Sequence, residues 1–260
     1  GIYISGRYAY ITNYSLGKLQ VYDISNPSNP TQVASVTATG AHDVYVSGRY
    51  AYVTGFSSSA LFIFDVSNPT NPILISSKTI GTNPAHLYVA GSYAYITNFG
   101  TDAFQIFDIS NPSNPSLITT TLTGGGTQIF SIHVSGKYAY ITNYTNANFF
   151  IYDISNPATP VLLSTTDTGS LARHVFVSGR YAYIVTGGVL KVYDVFNPIS
   201  PVLVGSVTVG GGETFGVYVS GKRLYTLNYT GSPDDTLQVF AISGLATTSA
   251  IVPSLESGNL

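Results

Sequence analysis

The sequence lacks cysteine, methionine and tryptophan, and only 8% of its residues are charged. The absence of cysteine excludes disulfide bonds, thiolate metal sites and thiol nucleophiles. Ten Lys and Arg against twelve Asp and Glu leave a net charge of −2. Duplex nucleic acid is bound through many phosphate contacts, so we expect no nucleic-acid partner.

Long hydrophobic runs are also absent, because Asn, Pro, Gly or Asp interrupts every apolar stretch well before the roughly 20 residues that span a bilayer. We therefore expect no direct membrane insertion. A hydrophobic content of 44%, with 21 Tyr and 13 Phe, nevertheless supplies apolar area for a packed core. The chain begins at Gly1 rather than Met, and we expect a processed chain or a part of a longer one.

A repeat of 42 to 45 residues runs through the whole chain. Its first marker is Ser-Gly, a basic residue and Tyr-Ala-Tyr, with exact or looser copies that begin at Ser5, Ser47, Ala90, Ser135, Ser178 and Ser220. Its second marker is Asp-Ile-Ser-Asn-Pro-Ser-Asn-Pro at 23–30, with relatives that begin at Asp65, Asp108, Asp153 and Asp194. The sixth copy replaces the second marker by Ala-Ile-Ser-Gly at 241–244, as is common in a terminal repeat.

Between the markers, β-branched and aromatic residues alternate with a period of two, which predicts four short strands per repeat. We call them A to D, from the inner to the outer strand, with the last D strand at 250–254. The predicted fold is all-β, a six-bladed β-propeller of four-stranded antiparallel blades with about 42 residues each. We expect one domain, 1–260, with blades at approximately 1–40, 41–83, 84–127, 128–171, 172–213 and 214–260.

The markers resemble a known family. Tyr-Ala-Tyr-Ile-Thr-Asn, followed by a strand that ends in Tyr-Asp-Ile-Ser-Asn-Pro-x-x-Pro, is similar to the LVIVD-type propeller repeat, and the Tyr-Ile-Thr-Asn piece looks like the YVTN propellers of surface-layer proteins. The resemblance covers essentially the whole chain. It implies an extracellular or cell-surface protein without an assigned reaction, and it is nearly silent about function, because propellers carry unrelated activities.

The charges that repeat have a structural interpretation. A basic residue at the start of strand B recurs, and so does an Asp at the end of strand C; both are present in the first, second, fourth and fifth repeats. We expect each Asp to cap its own Asn-Pro turn and to pair with the neighbouring basic residue. A calcium ring is the alternative, but the carboxylates lie on separate blades, whereas calcium needs six to eight oxygens at one point.

The non-repeated charges predict a candidate site. The turns from B to C and the connections from D to the next A vary between repeats, and variable loops on a rigid scaffold often bind ligands. We expect six residues to lie at the mouth of the channel on this side: His42, Asp43, His86, Arg173, His174 and Glu213. Isolated His and Arg side chains at loop ends are, however, more often hydrogen-bonded to the backbone than bound to a ligand. His133 aligns with Tyr45 and Tyr88 and is expected to pack between blades.

No motif predicts a catalytic residue, a cofactor or a metal site. Metal binding by Asp43, His86 and His174 is conceivable, but no characteristic spacing supports it. Three residues are glycosylation acceptors by spacing, Asn13, Asn143 and Asn228. All three occupy one repeat position, so the ancestry of the repeat explains them without glycans.

The sequence therefore favours a non-catalytic, secreted or surface-displayed module for binding, adhesion or self-assembly. Its partners would be a protein, a glycan or copies of itself, since near-zero net charge favours association. The alternative is a small-ligand receptor or a hydrolase- or lyase-type enzyme at the channel mouth. In that case Arg173 and His174 would hold an anion, with Asp43, His86 or Glu213 as acid or base.

Overall fold

A computed structural model describes residues 1–124, 128–210, 213–229 and 236–242. In these ranges 23 strands form six antiparallel sheets, one for each repeat. The described ranges contain no helix, and hence none long and apolar enough to cross a membrane. The predicted fold class, an all-β propeller with six blades, is confirmed.

Blades 1 to 3 each contain four strands in the sequential order A-B-C-D. Blade 1 consists of β1 (Ile2–Ser5), β2 (Tyr8–Asn13), β3 (Lys18–Asp23) and β4 (Thr31–Thr37). Blade 2 consists of β5 (Ala41–Ser47), β6 (Tyr50–Gly55), β7 (Ala60–Asp65) and β8 (Ile73–Thr79). Blade 3 consists of β9 (Pro84–Ala90), β10 (Tyr93–Asn98), β11 (Ala103–Asp108) and β12 (Ser116–Leu122).

Blades 4 and 5 repeat this order, and the described part of blade 6 comprises strands A to C. Blade 4 consists of β13 (Ile129–Ser135), β14 (Tyr138–Asn143), β15 (Asn148–Asp153) and β16 (Val161–Asp167). Blade 5 consists of β17 (His174–Ser178), β18 (Tyr181–Thr186), β19 (Val189–Asp194) and β20 (Val202–Thr208). Blade 6 consists of β21 (Glu213–Ser220), β22 (Arg223–Tyr229) and β23 (Thr236–Ala241). The D strand predicted at 250–254 lies outside the described residues.

Two kinds of turn define the strand order. The A-to-B hairpin places its glycine at positive φ, for example 59° at Gly6 and 58° at Gly48, a conformation that glycine adopts without steric cost. In the C-to-D turn, the Asp that ends strand C accepts a hydrogen bond from the backbone N–H two residues later, as in Ser25 to Asp23 at 2.8 Å. Prolines follow, and they cannot donate to a ladder. Both turns were predicted from the markers.

The chain forms two compact units, Gly1–Ile129 with Pro157–Thr159, and Phe130–Asn156 with Pro160–Leu260. Within each unit the core lies between consecutive blades. We call the side of a blade that packs on the preceding blade its entry face, and the side that packs on the following blade its exit face. Between blades 1 and 2, Leu19 and Val21 of the exit face pack with Val44 and Val46 of the entry face.

The same arrangement recurs between blades 2 and 3 in the first unit, and between blades 4 and 5 and blades 5 and 6 in the second. The Leu or Phe and the Val or Ile of strand C are fully buried in these exit faces, as are Leu61 and Ile63 of blade 2. Full burial of one such side chain stabilises the fold by about 1.5 to 3 kcal/mol. The repeat therefore encodes a stack of apolar blade interfaces.

A β-bulge interrupts the pairing of strands C and D at one repeat position. In blade 1 the register shifts between Val21 and Tyr22, so that Val33 of strand D has no opposite residue. Blades 2 to 5 show the same shift at the corresponding residues. Five of the outer strands thus carry an identical irregularity.

Candidate functional site

A second kind of bulge, near the start of strand A, positions two side chains beside the variable loops. In blade 2, Ala41 pairs with Gly55 and Asp43 pairs with Thr54, so His42 has no opposite residue. Phe215 is displaced in the same way in blade 6. Bulges re-aim side chains and are common beside binding sites. The bulge turns the imidazole of His42 toward the next blade.

In the first unit, three of the predicted residues lie together. The Nδ1–H of His42 donates to the carbonyl oxygen of Ala85 at 2.7 Å. The Nδ1 atom of His86 lies 3.5 Å from Oδ2 of Asp43, and the rings of His42 and His86 are 6.0 Å apart. The same Oδ2 atom accepts a hydrogen bond from the backbone N–H of Leu87 at 2.9 Å. The structure therefore brings His42, Asp43 and His86 together, and their role in binding a ligand stays a prediction.

Burial determines the charge of these imidazoles. It lowers the pKa of His86 well below the ordinary value, and the neighbouring His42 lowers it further. Burial also lowers the pKa of His42, against the opposing effects of the Ala85 carbonyl and Asp43. At neutral pH the contact between His86 and Asp43 is thus a polar contact of a neutral imidazole with a carboxylate, rather than an ion pair.

In the second unit, two further residues of the predicted site, Arg173 and Glu213, are in contact. An Nη atom of Arg173 lies 2.5 Å from a carboxylate oxygen of Glu213 and donates to the hydroxyl of Tyr144 at 3.0 Å. The guanidinium carbon lies 4.5 Å from the ring centre of Tyr144 and 4.3 Å from that of Phe215. The Arg173 side chain is 10% exposed, whereas that of Glu213 is 48% exposed. Stacking and pairing hold the guanidinium inside the protein.

The two remaining histidines lie within or between the blades of the second unit. His174 begins β17 and is half-buried. His133 contacts the ring of Phe176 in the next blade at 4.7 Å, in the same way as Tyr45 contacts Tyr88 at 5.1 Å. The prediction that His133 packs between blades is confirmed.

The repeated charges behave as predicted. Each Asp at the end of strand C accepts a hydrogen bond from the amide two residues later. In the four repeats that have both partners, the basic residue pairs with this Asp: Arg7 with Asp23, Arg49 with Asp65, Lys137 with Asp153 and Arg180 with Asp194. These carboxylates are therefore turn caps on separate blades.

The glycosylation acceptors lie at the end of strand B. The side-chain oxygens of Asn13 and Asn143 accept hydrogen bonds from the amides of Leu16 and Asn146, each at 3.0 Å. Asn143 and Asn228 are buried, and Asn13 is half-buried. Burial disfavours a glycan at Asn143 and Asn228, and the hydrogen bonds give this repeat position a structural role.

Sequence reasoning missed an aromatic position. One repeat position, which is the last residue of strand B in blade 6 and the residue directly after strand B in the others, is aromatic in five of six repeats: Tyr14, Phe56, Phe99, Tyr144 and Tyr229. In the first unit, the ring of Phe56 lies 6.3 Å from that of Tyr14, 5.9 Å from that of Phe99 and 5.2 Å from that of His42. We call Tyr14, Phe56 and Phe99 the aromatic row. Its signal in the sequence is the recurrence of an aromatic residue at one position of the repeat.

The side chains of the aromatic row are partly exposed to solvent. Tyr14 is 51% exposed, and Phe56 and Phe99 are half-buried. Two surface hollows lie elsewhere, at the A-to-B turns: one of about 350 Å³ is lined by Arg7 and Arg49, and one of about 460 Å³ by Lys137 and Arg180. The described ranges contain no group of three or more His, Asp or Glu side chains that could hold a metal ion.

The fold and its repeated blade interfaces define the chain as a β-propeller. The LVIVD repeat matches it five times, at residues 1–38, 39–79, 84–123, 126–168 and 169–209. The chain therefore belongs to the LVIVD repeat family, as its markers predicted. No curated protein matches the sequence.

Solved structures share the fold at low sequence identity. A functionally unknown protein from Desulfotomaculum acetoxidans is 19% identical, with a TM-score of 0.77 over 94% of this chain and 82% of its own. A protein from Lactobacillus plantarum is 12% identical, with a TM-score of 0.83 over 92% and 79%. A protein from Bacteroides uniformis, provisionally named a 6-phosphogluconolactonase, is 17% identical, with a TM-score of 0.80 over 93% and 80%. At these identities the similarity shows the fold alone.

Proposed function

We propose that this propeller is a non-catalytic binding or assembly module that acts outside the cell or at its surface. Its partners are a protein, a glycan or further copies of itself. The extracellular location is supported by the family resemblance and by a surface of Ser, Thr, Asn and Gly. The observation that carries the binding function is the aromatic row, Tyr14, Phe56 and Phe99.

The charged residues near the variable loops have protein partners. Arg173 is paired with Glu213 and stacked between two rings, and a carboxylate oxygen of Asp43 accepts from the Leu87 amide. A general acid or base must come within hydrogen-bonding distance of the reacting group. These contacts favour a structural use of both residues over acid-base catalysis.

The aromatic row has the chemistry of a contact surface. Aromatic side chains bury large areas with few rotatable bonds, and they are enriched at the centres of binding interfaces. Neutral hydroxyl and amide groups accompany the rings, including Ser57 and Thr101 of the same turns. A surface of aromatic rings with hydroxyl and amide groups suits the apolar faces and hydroxyl groups of a neutral sugar, or an uncharged stretch of protein.

An array of immobilised neutral oligosaccharides tests this function. We expect the native chain to bind at least one glycan, and Tyr14→Ala and Phe99→Ala to weaken that binding about tenfold or more, the loss of roughly 1.4 kcal/mol. Phe196→Ala is the matched control, since Phe196 is 78% exposed but belongs to a C-to-D turn. Light scattering on the same variants tests association between copies.

One result would replace this proposal with an enzymatic function. Because one structural neighbour is provisionally named a 6-phosphogluconolactonase, the assay includes hydrolysis of 6-phosphogluconolactone. Turnover by the native chain that is lost in both Asp43→Asn and His86→Gln would identify the His86 and Asp43 pair as catalytic. Equal glycan binding by Tyr14→Ala, Phe99→Ala and the native chain would also contradict the role of the aromatic row.

A further inference from the structure

The first blade exposes an apolar face that the inner blades bury. Two residues of strand A form the centre of each entry face, for example Val44 and Val46 in blade 2, which are 3% and 5% exposed. The same positions in blades 3, 5 and 6 are between 1% and 8% exposed. In blade 1 these positions are Ile2 and Ile4, and each is 59% exposed.

The described part of the last blade shows the complementary feature on its exit face. The apolar residue near the start of strand C is fully buried in blades 1 to 5, as in Leu19 and Leu61. Its counterpart in blade 6, Leu237, is 47% exposed, and Leu227 on the same face is 53% exposed. The end repeats of stacked repeat proteins normally present polar outer faces. Among the described residues, the entry face of blade 1 and the exit face of blade 6 are apolar instead.

We propose that the entry face of blade 1 is the docking surface for a further four-stranded blade of the same repeat, contributed by polypeptide outside residues 1–260. The exit face of blade 6, taken by itself, has the chemistry to receive such a blade as well. This inference concerns the architecture and is independent of the proposed ligand.

The interfaces within each unit identify the occupant. In the four interfaces within the units, the covering residues are a Tyr from strand B and two aliphatic or aromatic residues from strand C of the preceding blade, as with Tyr10, Leu19 and Val21 against blade 2. Ile2 and Ile4 match the entry-face residues Val44 and Val46 in spacing and in apolar character. The surface is apolar and carries the pattern of a blade interface, so the partner that fits it is another exit face.

The lengths of related propellers agree with this occupant. The three solved structures described above are covered over only 79% to 82% of their lengths, although they cover 92% to 94% of this chain. Each of them therefore has room for about one additional repeat of this size. Propellers typically contain about four to eight blades, so one blade more than the six present here is within the range of this fold.

A tandem extension tests the proposal. A second copy of residues 41–85 is placed directly before Gly1, because His86, the residue that naturally follows this segment, occupies the same repeat position as Gly1. The matched control is an identical extension with Leu61→Ser and Ile63→Ser in the added copy, which removes its apolar exit face. Thermal unfolding is then measured for Ile4→Thr and Val46→Thr in the original and both extended chains.

We expect Val46→Thr to lower Tm in all three chains, by about 2 to 4 °C per kcal/mol lost. Ile4→Thr should leave Tm of the 260-residue chain unchanged, and should lower it as Val46→Thr does only in the chain with the apolar extension. Equal costs of Ile4→Thr and Val46→Thr in the original chain would overturn the proposal, because the face would already be covered. So would a discrete oligomer of the original chain that persists after extension, since a second copy would then be the occupant.

Discussion

The carboxylate of Asp43 in β5 accepts a hydrogen bond from the backbone N–H of Leu87 in β9, at 2.9 Å. The hydroxyl oxygen of Ser131, at the same repeat position in blade 4, accepts from the amide of Val175 in blade 5 at 3.4 Å. A position predicted as part of a ligand site thus connects the inner strands of adjacent blades.

Replacement of Asp43 tests this connection. We expect Asp43→Ala to lower the free energy of unfolding by about 1.5 to 3 kcal/mol, the range for a hydrogen bond to a charged group. Asp43→Asn should cost less, because its amide oxygen can still accept from Leu87. Urea unfolding measures both values. An Asp43→Ala chain as stable as the native one would show that the bond does not stabilise the blade interface.

The turn caps give a second prediction. The pKa of Asp65 is held far below its usual value, first by its hydrogen bond with Arg49 and then by those with Ser67. In Asp108, which has Ser92 in place of a basic neighbour, hydrogen bonds with Ser110 lower the pKa. A carboxylate whose pKa is lower in the folded chain than in the unfolded chain stabilises the fold at pH values above its ordinary pKa. This contribution is lost as the pH falls through the lowered pKa. We therefore expect both turn caps to weaken below about pH 4.

Matched substitutions separate the turn cap from the ion pair. Asp65→Ala and Asp108→Ala should each lower Tm at pH 7, whereas Arg49→Ala should lower it less, since an exposed pair contributes little. Added salt should reduce the effect of Arg49→Ala and leave that of Asp108→Ala nearly unchanged. A larger effect for Arg49→Ala than for Asp65→Ala would contradict the assignment of the Asp as a turn cap.

A third prediction concerns pH and His133. Burial, with a smaller effect from His174, lowers the pKa of His133 from 6.5 to about 4. The unfolded chain therefore binds more protons than the folded chain between these values, so stability falls as the pH drops from about 6.5 to about 4. His133→Tyr introduces the residue found at this position in blades 2 and 3, and it should make this fall shallower.

Urea midpoints measured from pH 7.5 to pH 4 check the effect of His133→Tyr. The control is Lys78→Gln, a substitution on the outer strand β8 that changes charge but removes no imidazole. Parallel pH curves for the native and His133→Tyr chains would contradict the prediction.

A fourth prediction compares two buried amides. In the described structure neither side-chain polar atom of Asn98 has a hydrogen-bond partner, whereas the oxygen of Asn143 caps a turn. A buried polar group without a partner is costly, so Asn98→Leu should be neutral or stabilising. Asn143→Leu should destabilise by about 1 kcal/mol, because it removes the turn cap. Equal effects in urea unfolding would show that the two amides are equivalent.

Residues that recur could be predicted from the sequence. The Ser-Gly hairpins, the Asp caps and their four basic partners depend on local chemistry that each repeat restates, and the structure contains all of them. The period also set the strand order and blade number. The fold could be predicted because a strand pattern that recurs in six copies does not arise by chance.

Residues that do not recur were harder to interpret. The sequence brought Arg173 and Glu213 to one region, but it did not show that Tyr144 and Phe215 enclose the guanidinium, because stacking depends on loop conformations of neighbouring blades. The bulge at His42 was likewise unpredictable, since it arises from the pairing of two strands. The burial of Asn143 could not be predicted either, because it depends on how the strands pack.

The bulge shared by the C and D strands has a consequence for solubility. The outer strands of blades 1 to 5 contain a single Lys and a single Asp, Lys78 and Asp167. Charges that commonly prevent free sheet edges from adding foreign strands are therefore scarce. A bulge disrupts the regular ladder and increases the twist of the edge, and the prolines before each outer strand remove donors. In this low-charge protein, backbone geometry thus protects against amyloid-like edge pairing where other proteins use lysine.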